Sequence, residues 1–271
     1  MELNVQGRRA YAYTGGKAFD ATLPCIVFIH GALNDHSVWT LLARWFAHHG
    51  HAVLAVDQPG HLRSAGPVLP DVEGLADWVL DLLDAAGVTR AAFVAHSMGS
   101  LIALEAAARA PARATHLAML GTAYPMKVSA TLLDMARDDP LRAIDMTNAF
   151  SHSSIAAKPS YPGPGSWLHG GSRALMRRVL AGQRDIQLFH HDFSVCDRYA
   201  NGMQAASLVQ CPVTMVLGER DQMTSPIRAR DIALALKAKL HQVPAGHALM
   251  QEAPEALLAL LRAALGPGQQ S

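Results

Sequence analysis

Ser97 lies in the middle of the segment Ala95–Gly99, where a short apolar run ends and an alanine-rich segment with helical spacing begins. A sharp strand-to-helix turn at such a point strains the serine backbone, and small residues two positions to either side prevent clashes. The hydroxyl then stands clear of the sheet, and the helix N-terminus brings the Met98 amide near a developing negative charge. This pattern predicts a nucleophilic serine. The alternative is an ordinary helix N-cap, where serine is also favoured.

The loop His30–Leu33 directly follows another apolar run. A glycine-containing loop at the carboxyl end of a strand can turn a backbone N–H toward a nucleophile. We therefore predict an oxyanion hole formed by the amides of Ala32 and Met98. Taken alone, the loop is equally consistent with a simple strand-to-loop turn, and its meaning depends on its combination with Ser97.

A carboxylate and a histidine follow Ser97 in the order Ser, Asp, His, which is the order expected of a catalytic triad on a parallel α/β sheet. Asp221 comes just after the apolar run 213–217, at the sheet edge where open α/β sheets collect their functional groups. His247 follows in a loop before the last helical segment. We predict that His247 is the general base and that Asp221 orients it. Glu219 is the alternative acid.

The chain contains 14 histidines, so the choice of base depends on position. His96 adjoins the serine, and this position is expected to direct its ring away from the hydroxyl. His30 is expected to brace its own loop and is also a candidate for substrate contact. Only His247 combines a flexible approach with a suitably placed acid upstream.

The order of apolar runs and helical segments predicts a parallel α/β sheet. Short runs rich in branched residues are typical of strands buried on both faces. Their alternation with helical segments implies right-handed crossovers. The N-terminal stretch 3–14 alternates in polarity and predicts an antiparallel edge hairpin. The predicted buried strands are 26–29, 52–56, 91–95, 117–120 and 213–217, and predicted helices include 98–109 and 254–265.

The strand rhythm is interrupted once. Between 123 and 201 the sequence has helical stretches but no convincing buried strand, which predicts a helical insertion between two strands of one sheet. The predicted organisation is a core formed by 1–122 and 202–271 with the insertion 123–201 between its two parts.

Substrate choice is expected to depend on this insertion. The segment 151–171 is dense in Ser, Pro and Gly and is expected to be irregular and to gate entry to the site. Leu33, Phe150 and Trp167 are candidates for the pocket wall, although most large apolar residues of the insertion are expected to pack its own small core.

Composition excludes several function classes. Half of the 271 residues are hydrophobic, and the formal net charge is +1, so neither nucleic acid nor an anionic membrane is an expected partner. Three widely spaced cysteines indicate neither a disulfide framework nor a zinc site. The N-terminal residues lack the apolar core of a signal peptide, which favours a cytoplasmic protein. No metal or cofactor is expected.

These motifs, together with Asp57–His61, resemble the α/β-hydrolase family over nearly the whole chain outside the insertion. The resemblance implies a mostly parallel eight-stranded sheet with helices on both faces, and it implies that the insertion is a cap over the active site. The stretch 196–201 is similar to the return of the cap to the core in small bacterial esterase-like members. Two departures are Ala95 in place of the family's glycine and Leu62–Ser64 in place of its usual glycine, variable residue and serine.

The resemblance and the residues together predict acyl transfer in two steps by a serine hydrolase. Family members that open epoxides or displace halide carry an aspartate where this chain has Ser97. The first expectation is a small or medium, hydrophobic carboxylic ester as substrate. Cleavage of C–C bonds in ring-cleavage products and cofactor-free haloperoxidase or perhydrolase activity require the same triad and stay open. So does a ligand-binding protein on a hydrolase scaffold.

Overall fold

The computed structural model describes residues 1–154, 166–182 and 186–266. Eight strands form one sheet. Their bounds are β1 (Glu2–Val5), β2 (Arg8–Tyr13), β3 (Cys25–Ile29), β4 (Ala52–Val56), β5 (Ala91–His96), β6 (Ala114–Leu120), β7 (Val213–Gly218) and β8 (Lys239–Val243).

The strands lie in the order β1-β2-β4-β3-β5-β6-β7-β8. The pairs β1–β2 and β2–β4 are antiparallel, and all other neighbours are parallel. The register places Ile29 of β3 beside Ala95 of β5, and Ala95 beside Met119 of β6. The loops that follow these strands therefore emerge side by side at the carboxyl edge of the sheet. The mostly parallel eight-stranded sheet and the N-terminal hairpin are confirmed.

Burial explains which strands the sequence revealed. Every residue of β3, β4, β5 and β7 is buried, so their apolar runs are continuous. Strand β8 was not predicted, because its sequence KLHQV is largely exposed at the sheet edge and carries no apolar run.

Helices cover both faces of the sheet. Alternate residues of β3 belong to two different hydrophobic clusters: Val27 and Ile29 to one, Ile26 and Phe28 to the other. The helices are α1 (Thr40–Ala47), α2 (Val72–Ala85), α3 (Met98–Arg109), α4 (Ala130–Asp138), α5 (Pro140–Ser151), α6 (Leu168–Ala181), α7 (Leu188–Arg198), α8 (Gly202–Leu208), α9 (Arg230–Ala235), α10 (Leu249–Glu252) and α11 (Pro254–Leu265). Within the described ranges, no helix is both long and apolar enough to span a membrane.

Five helices, α4–α8, lie between β6 and β7 in the described residues, and the first four, α4–α7, are called the insertion helices below. Their buried side chains form a third hydrophobic cluster, which also includes Leu33 of the core. Part of the segment 151–171 is helical rather than irregular, because α6 begins at Leu168. Residues 155–165, which make up most of the expected gate, lie outside the described ranges. The exact boundaries of the insertion remain a prediction.

Candidate active site

Ser97 occupies the turn between β5 and α3. Its backbone has φ 53° and ψ −123°, a strained conformation for a residue other than glycine. An N-cap serine has extended backbone and accepts a hydrogen bond from the first turn of its helix. Ser97 has neither feature, since it makes no side-chain capping bond. The geometry therefore favours the nucleophile turn over the N-cap.

Close backbone approach at this turn explains the glycine two residues after Ser97. A Cβ atom at Gly99 would lie 2.5 Å from the Ile29 carbonyl oxygen and 2.6 Å from that of His30. On the other side of the serine, a Cβ at Gly31 would lie 3.1 Å from the Ser97 Cβ. The end of β3 and the start of α3 are thus packed to a distance that larger residues do not permit.

His247 and Asp221 form a buried pair. The His247 Nδ1 lies 2.8 Å from Asp221 Oδ2. Thr224 also donates to Asp221 Oδ2 through its hydroxyl at 2.7 Å, and the amides of Met223 and Thr224 both donate to Oδ1 at 2.8 Å. Glu219, the alternative acid, is exposed. The structure therefore brings Asp221, and not Glu219, to the histidine.

This set of donors keeps Asp221 ionised. Burial acts to raise the pKa of the carboxyl, but the charge of a protonated His247 and the hydrogen bonds from His247 and Thr224 outweigh it and lower the pKa. An ionised Asp221 accepts a hydrogen bond from the Nδ1–H of His247, which leaves the opposite nitrogen, Nε2, unprotonated and free to act as a base.

His96 contacts His247 through a hydrogen bond and through its ring. The His96 Nε2 donates to the His247 carbonyl oxygen at 2.9 Å, and the two ring centroids are 4.5 Å apart. Burial lowers the pKa of His96 to about 3, so its ring is neutral. Gly121 provides space here, because a Cβ at that position would lie 3.2 Å from both rings. His96 thus fixes the loop that carries His247.

The two amides predicted as oxyanion donors belong to two segments that come together at Ser97, the loop after β3 and the start of α3. Met98 is the first residue of α3, so its N–H belongs to the turn of the helix that lacks intrahelical acceptors. Ala32 lies in the loop after β3 and lines both cavities that contain Ser97.

A buried ion pair links the insertion helices to this loop. Asp192 of α7 accepts hydrogen bonds on Oδ2 from the Leu33 amide at 2.8 Å and from His61 Nε2 at 3.0 Å. The other His61 nitrogen lies 3.3 Å from the Pro59 carbonyl, so both ring nitrogens face acceptors. Burial acts to lower the pKa of His61, but the charge of Asp192 outweighs it and raises the pKa. Leu33 has φ 50° and immediately follows Ala32.

Two cavities meet at the serine. One has a volume of about 60 Å³ and the other about 280 Å³. Both are lined by Ala32, Ser97, Phe193, Met223 and His247. Ser97, His247 and Ala32 therefore border a shared space that a small molecule can enter.

Of the four residues predicted to contact substrate, one lines a cavity at the serine and three do not. Phe150 lines the larger cavity. His30 lines neither; it is buried, its Nε2 accepts from the Gln58 amide at 3.2 Å, and burial lowers its pKa to about 4. Leu33 is fully buried in the third cluster, and Trp167 packs on His169; neither lines the two cavities. His30 and Leu33 thus pack within the loop after β3 rather than in the pocket wall.

One group of side chains has the spacing of a cation site within the described ranges: Asp35, His36 and Asp57. Protein donors already hold its oxygens. Asp35 Oδ2 lies 2.6 Å from Arg178, and Asp57 Oδ1 accepts from both the amide and Nδ1 of His36 at 2.8 Å. These contacts brace the loops after β3 and β4 and join α6 to the core.

Comparison with known proteins decides the family. The sequence profile of the alpha/beta hydrolase family matches residues 26–260. The chain belongs to this family.

Similar proteins within the alpha/beta hydrolase family and fold carry several activities. An enol-lactonase from Burkholderia xenovorans LB400 superposes with a TM-score of 0.81 at 23% identity, over 98% of this chain and 99% of that one. An esterase from Exiguobacterium antarcticum also gives 0.81, at 14% identity over 98% of each chain. At these identities the likeness shows the fold alone. A "Putative non-heme haloperoxidase" of Mycobacterium phage D29 is 34% identical over 99 residues, which span 36% of this chain and about a third (36%) of that relative's length.

The sequence missed three supports of this alpha/beta hydrolase site. Thr224 lies three residues after Asp221, a spacing that suits a local hydrogen bond to the carboxylate. The other two, the bond from His96 to the His247 carbonyl and the pair of His61 with Asp192, join residues 151 and 131 positions apart. No local signal indicates contacts of this kind.

Proposed function

We propose that this alpha/beta hydrolase is a serine hydrolase that cleaves a carboxylic ester through an acyl-enzyme. The observation that carries the proposal is the strained, uncapped Ser97 sharing two cavities with His247, whose Nδ1 is bonded to a buried carboxylate. A serine held in this way is activated when the histidine accepts its proton.

In the first step His247 Nε2 takes the Ser97 proton as the serine oxygen attacks the ester carbonyl carbon. The carbonyl oxygen becomes an oxyanion and accepts hydrogen bonds from the Ala32 and Met98 amides. The tetrahedral intermediate then collapses, and the alcohol leaves with the proton from His247. In the second step His247 takes a proton from water, the resulting hydroxide attacks the acyl carbon, and the acid departs as Ser97 regains its proton.

The larger cavity suits an ester with an apolar part, although its lining also includes polar and cationic side chains. Its wall includes Met126, Leu132, Met146 and Phe150, and at about 280 Å³ it accommodates a group of small to medium size. Leu132, Met146 and Phe150 belong to the insertion helices, which supports the role of the insertion as a cap over the site. A ligand in this cavity would touch the core and the insertion at once.

Hydrolysis of p-nitrophenyl esters of graded chain length tests the proposal. Ser97→Ala and His247→Ala should each lower kcat by about 10⁴-fold or more. Ser207→Ala, which removes an exposed hydroxyl on α8, and His48→Ala, at an exposed histidine, are the matched controls and should leave kcat unchanged. An acyl-enzyme also predicts a burst of p-nitrophenolate equal to the enzyme concentration when deacylation is slow. Wild-type rates in the Ser97→Ala variant would contradict the proposal.

The part-length match to a haloperoxidase supports perhydrolysis as a second candidate. The same site would form a peracid if hydrogen peroxide, instead of water, attacked the acyl-enzyme. Peracid formation from a carboxylic acid and hydrogen peroxide should then depend on Ser97 and exceed ester hydrolysis in kcat/KM. A rate of ester hydrolysis that exceeds peracid formation assigns the esterase reaction.

A further inference from the structure

The buried face of α5 changes from apolar to polar near the catalytic serine. Ala143 and Ile144 are fully buried, as expected for an amphipathic helix. One turn later the same face presents Thr147 and Asn148, which are 7% and 1% exposed, and then Ser151. Burying polar groups is costly unless they are hydrogen-bonded. Such a break in the apolar pattern is expected where a residue is kept for function.

Two of these polar groups lack a partner in the described structure. Thr147 Oγ1 and Asn148 Oδ1 are buried and make no hydrogen bond. The orientation of the Asn148 amide is fixed, because its Nδ2 donates to the Ile144 carbonyl at 3.2 Å and contacts Met176 Sδ at 3.6 Å. Rotating the Asn148 amide by half a turn would place its Oδ1 against the Ile144 carbonyl oxygen. Asn148 therefore offers an unused acceptor.

A third unpartnered acceptor comes from the core. His96 donates through Nε2 to the His247 carbonyl, and burial lowers the pKa of His96 to about 3. Its Nδ1 is therefore an unprotonated lone pair, and this atom has no partner either. His96, Thr147 and Asn148 all line the cavity of about 60 Å³ that contains Ser97 and His247. Two obligate acceptors and one hydroxyl thus surround the smaller space beside the nucleophile.

The size of this cavity limits its occupant. A water-sized position takes about 10–15 Å³, so about 60 Å³ corresponds to roughly four to six small positions. That suits a short acyl chain. The acceptors on its wall suit a chain that brings a donor.

We propose that the smaller cavity is a donor-selective acyl subsite and that the substrate is a short hydroxyacyl ester. The hydroxyl group on the second or third acyl carbon would donate to Asn148 Oδ1 or to Thr147 Oγ1, while the alcohol part occupies the larger cavity. This inference rests on the proposed function and extends it, because it replaces a purely hydrophobic acyl group by a hydroxylated one. It also explains why α5 keeps unpaired polar groups in a buried position.

The test compares esters of matched shape. In the p-nitrophenyl esters of lactate and isobutyrate, a hydroxyl in the first is replaced by a methyl group in the second. The esters of β-hydroxypropionate and butyrate differ in the same way. For each pair the ratio of kcat/KM, hydroxylated over plain, is divided by the ratio for hydroxide-catalysed hydrolysis, which removes intrinsic reactivity. We expect this corrected ratio to be about tenfold or more for at least one pair in the wild type. At least one of the shape-keeping variants Asn148→Leu and Thr147→Val should reduce it toward unity.

Met146→Leu is the matched control, because Met146 lines only the larger of the two cavities and should leave the corrected ratio unchanged. Thr147→Val keeps the test valid if Asn148→Leu fails to fold. A corrected ratio near unity in the wild type, or one that the two variants leave unchanged, overturns the subsite, and turnover of the plain esters shows that the serine hydrolase itself stands. If no ester is hydrolysed and Ser97 is not labelled by a fluorophosphonate, the proposed function fails and the subsite with it.

Discussion

Asp192 of α7 is predicted to hold the oxyanion loop in place, and Asp192→Leu tests this. The side chain is buried, and its Oδ2 accepts hydrogen bonds from the Leu33 amide at 2.8 Å and from His61 Nε2 at 3.0 Å, while Oδ1 lies 3.2 Å from Nδ1 of the partly exposed His191. Leucine has a similar size but no acceptor. The substitution therefore leaves two buried donors without a partner and removes the charge that His61 faces.

The magnitude follows from these two contacts. Each orphaned buried donor costs about 1–3 kcal/mol, and breaking a buried ion pair by removing one partner costs about 3–5 kcal/mol. We therefore expect Asp192→Leu to lower the free energy of unfolding by about 3–5 kcal/mol. Asp192→Asn should cost less, because its amide oxygen still accepts from Leu33. Since Leu33 follows Ala32, a displaced loop should also lower kcat by about 10²-fold or more, the effect of losing an oxyanion donor.

Urea unfolding and ester kinetics on the same variants measure both effects. Asp134→Leu is the matched control, since Asp134 lies on the exposed side of α4 in a surface ion pair with Arg137 and should cost about 1 kcal/mol or less. An Asp192→Leu variant within about 1 kcal/mol of the wild type would refute the argument. So would a stability loss with an unchanged kcat, because the loop would then not depend on Asp192.

Three further predictions concern the same site. Gly99→Ala should lower the free energy of unfolding by about 1–3 kcal/mol or more, because its Cβ would meet two backbone oxygens. Gly171→Ala is the control: it has open space around it and should stabilise α6 by about 0.5–1 kcal/mol. Equal effects of the two substitutions in urea unfolding would contradict this prediction. Thr224→Val should lower kcat about tenfold with little change in KM, because Asp221 loses one hydrogen bond but keeps two amide donors; unchanged kcat would show that the hydroxyl is dispensable. The raised pKa of His61 means that its pairing with Asp192 stabilises the fold fully below about pH 6.5 and loses this contribution as the pH rises through the raised value. The stability difference between wild type and Asp192→Asn should therefore shrink on going to alkaline pH, and a difference that grows would contradict the ion pair.

The elements whose burial produces a clear local pattern of apolar residues could be predicted from the sequence. The predicted strand 52–56 matches β4, and the predicted helices 98–109 and 254–265 match α3 and α11. The strand predicted at 117–120 begins earlier, at Ala114, because the exposed Thr115 and the polar His116 interrupt the apolar run at the start of β6. Strand patterns weaken where a strand reaches the surface, which also explains the missed β8.

The residues of the candidate site likewise fall into those that a local motif marks and those that only tertiary contacts reveal. Ser97, Asp221 and His247 each follow a strand or precede a helix within a short motif, so their types and order were sufficient to single them out. The polar residues of α5 were not recognisable, because Thr147 and Asn148 look like ordinary surface residues until the tertiary structure buries them. The same holds for Asp192, whose partner His61 lies 131 residues away.

Fluorophosphonate labelling followed by intact-mass analysis tests the central claim, that Ser97 is an activated nucleophile. The wild type should gain one adduct, located on Ser97 by peptide mapping. The folded Ser97→Ala variant should gain none, and Ser207→Ala should be labelled like the wild type. An adduct that persists in Ser97→Ala, or a well-folded wild type that gains none, would contradict the account.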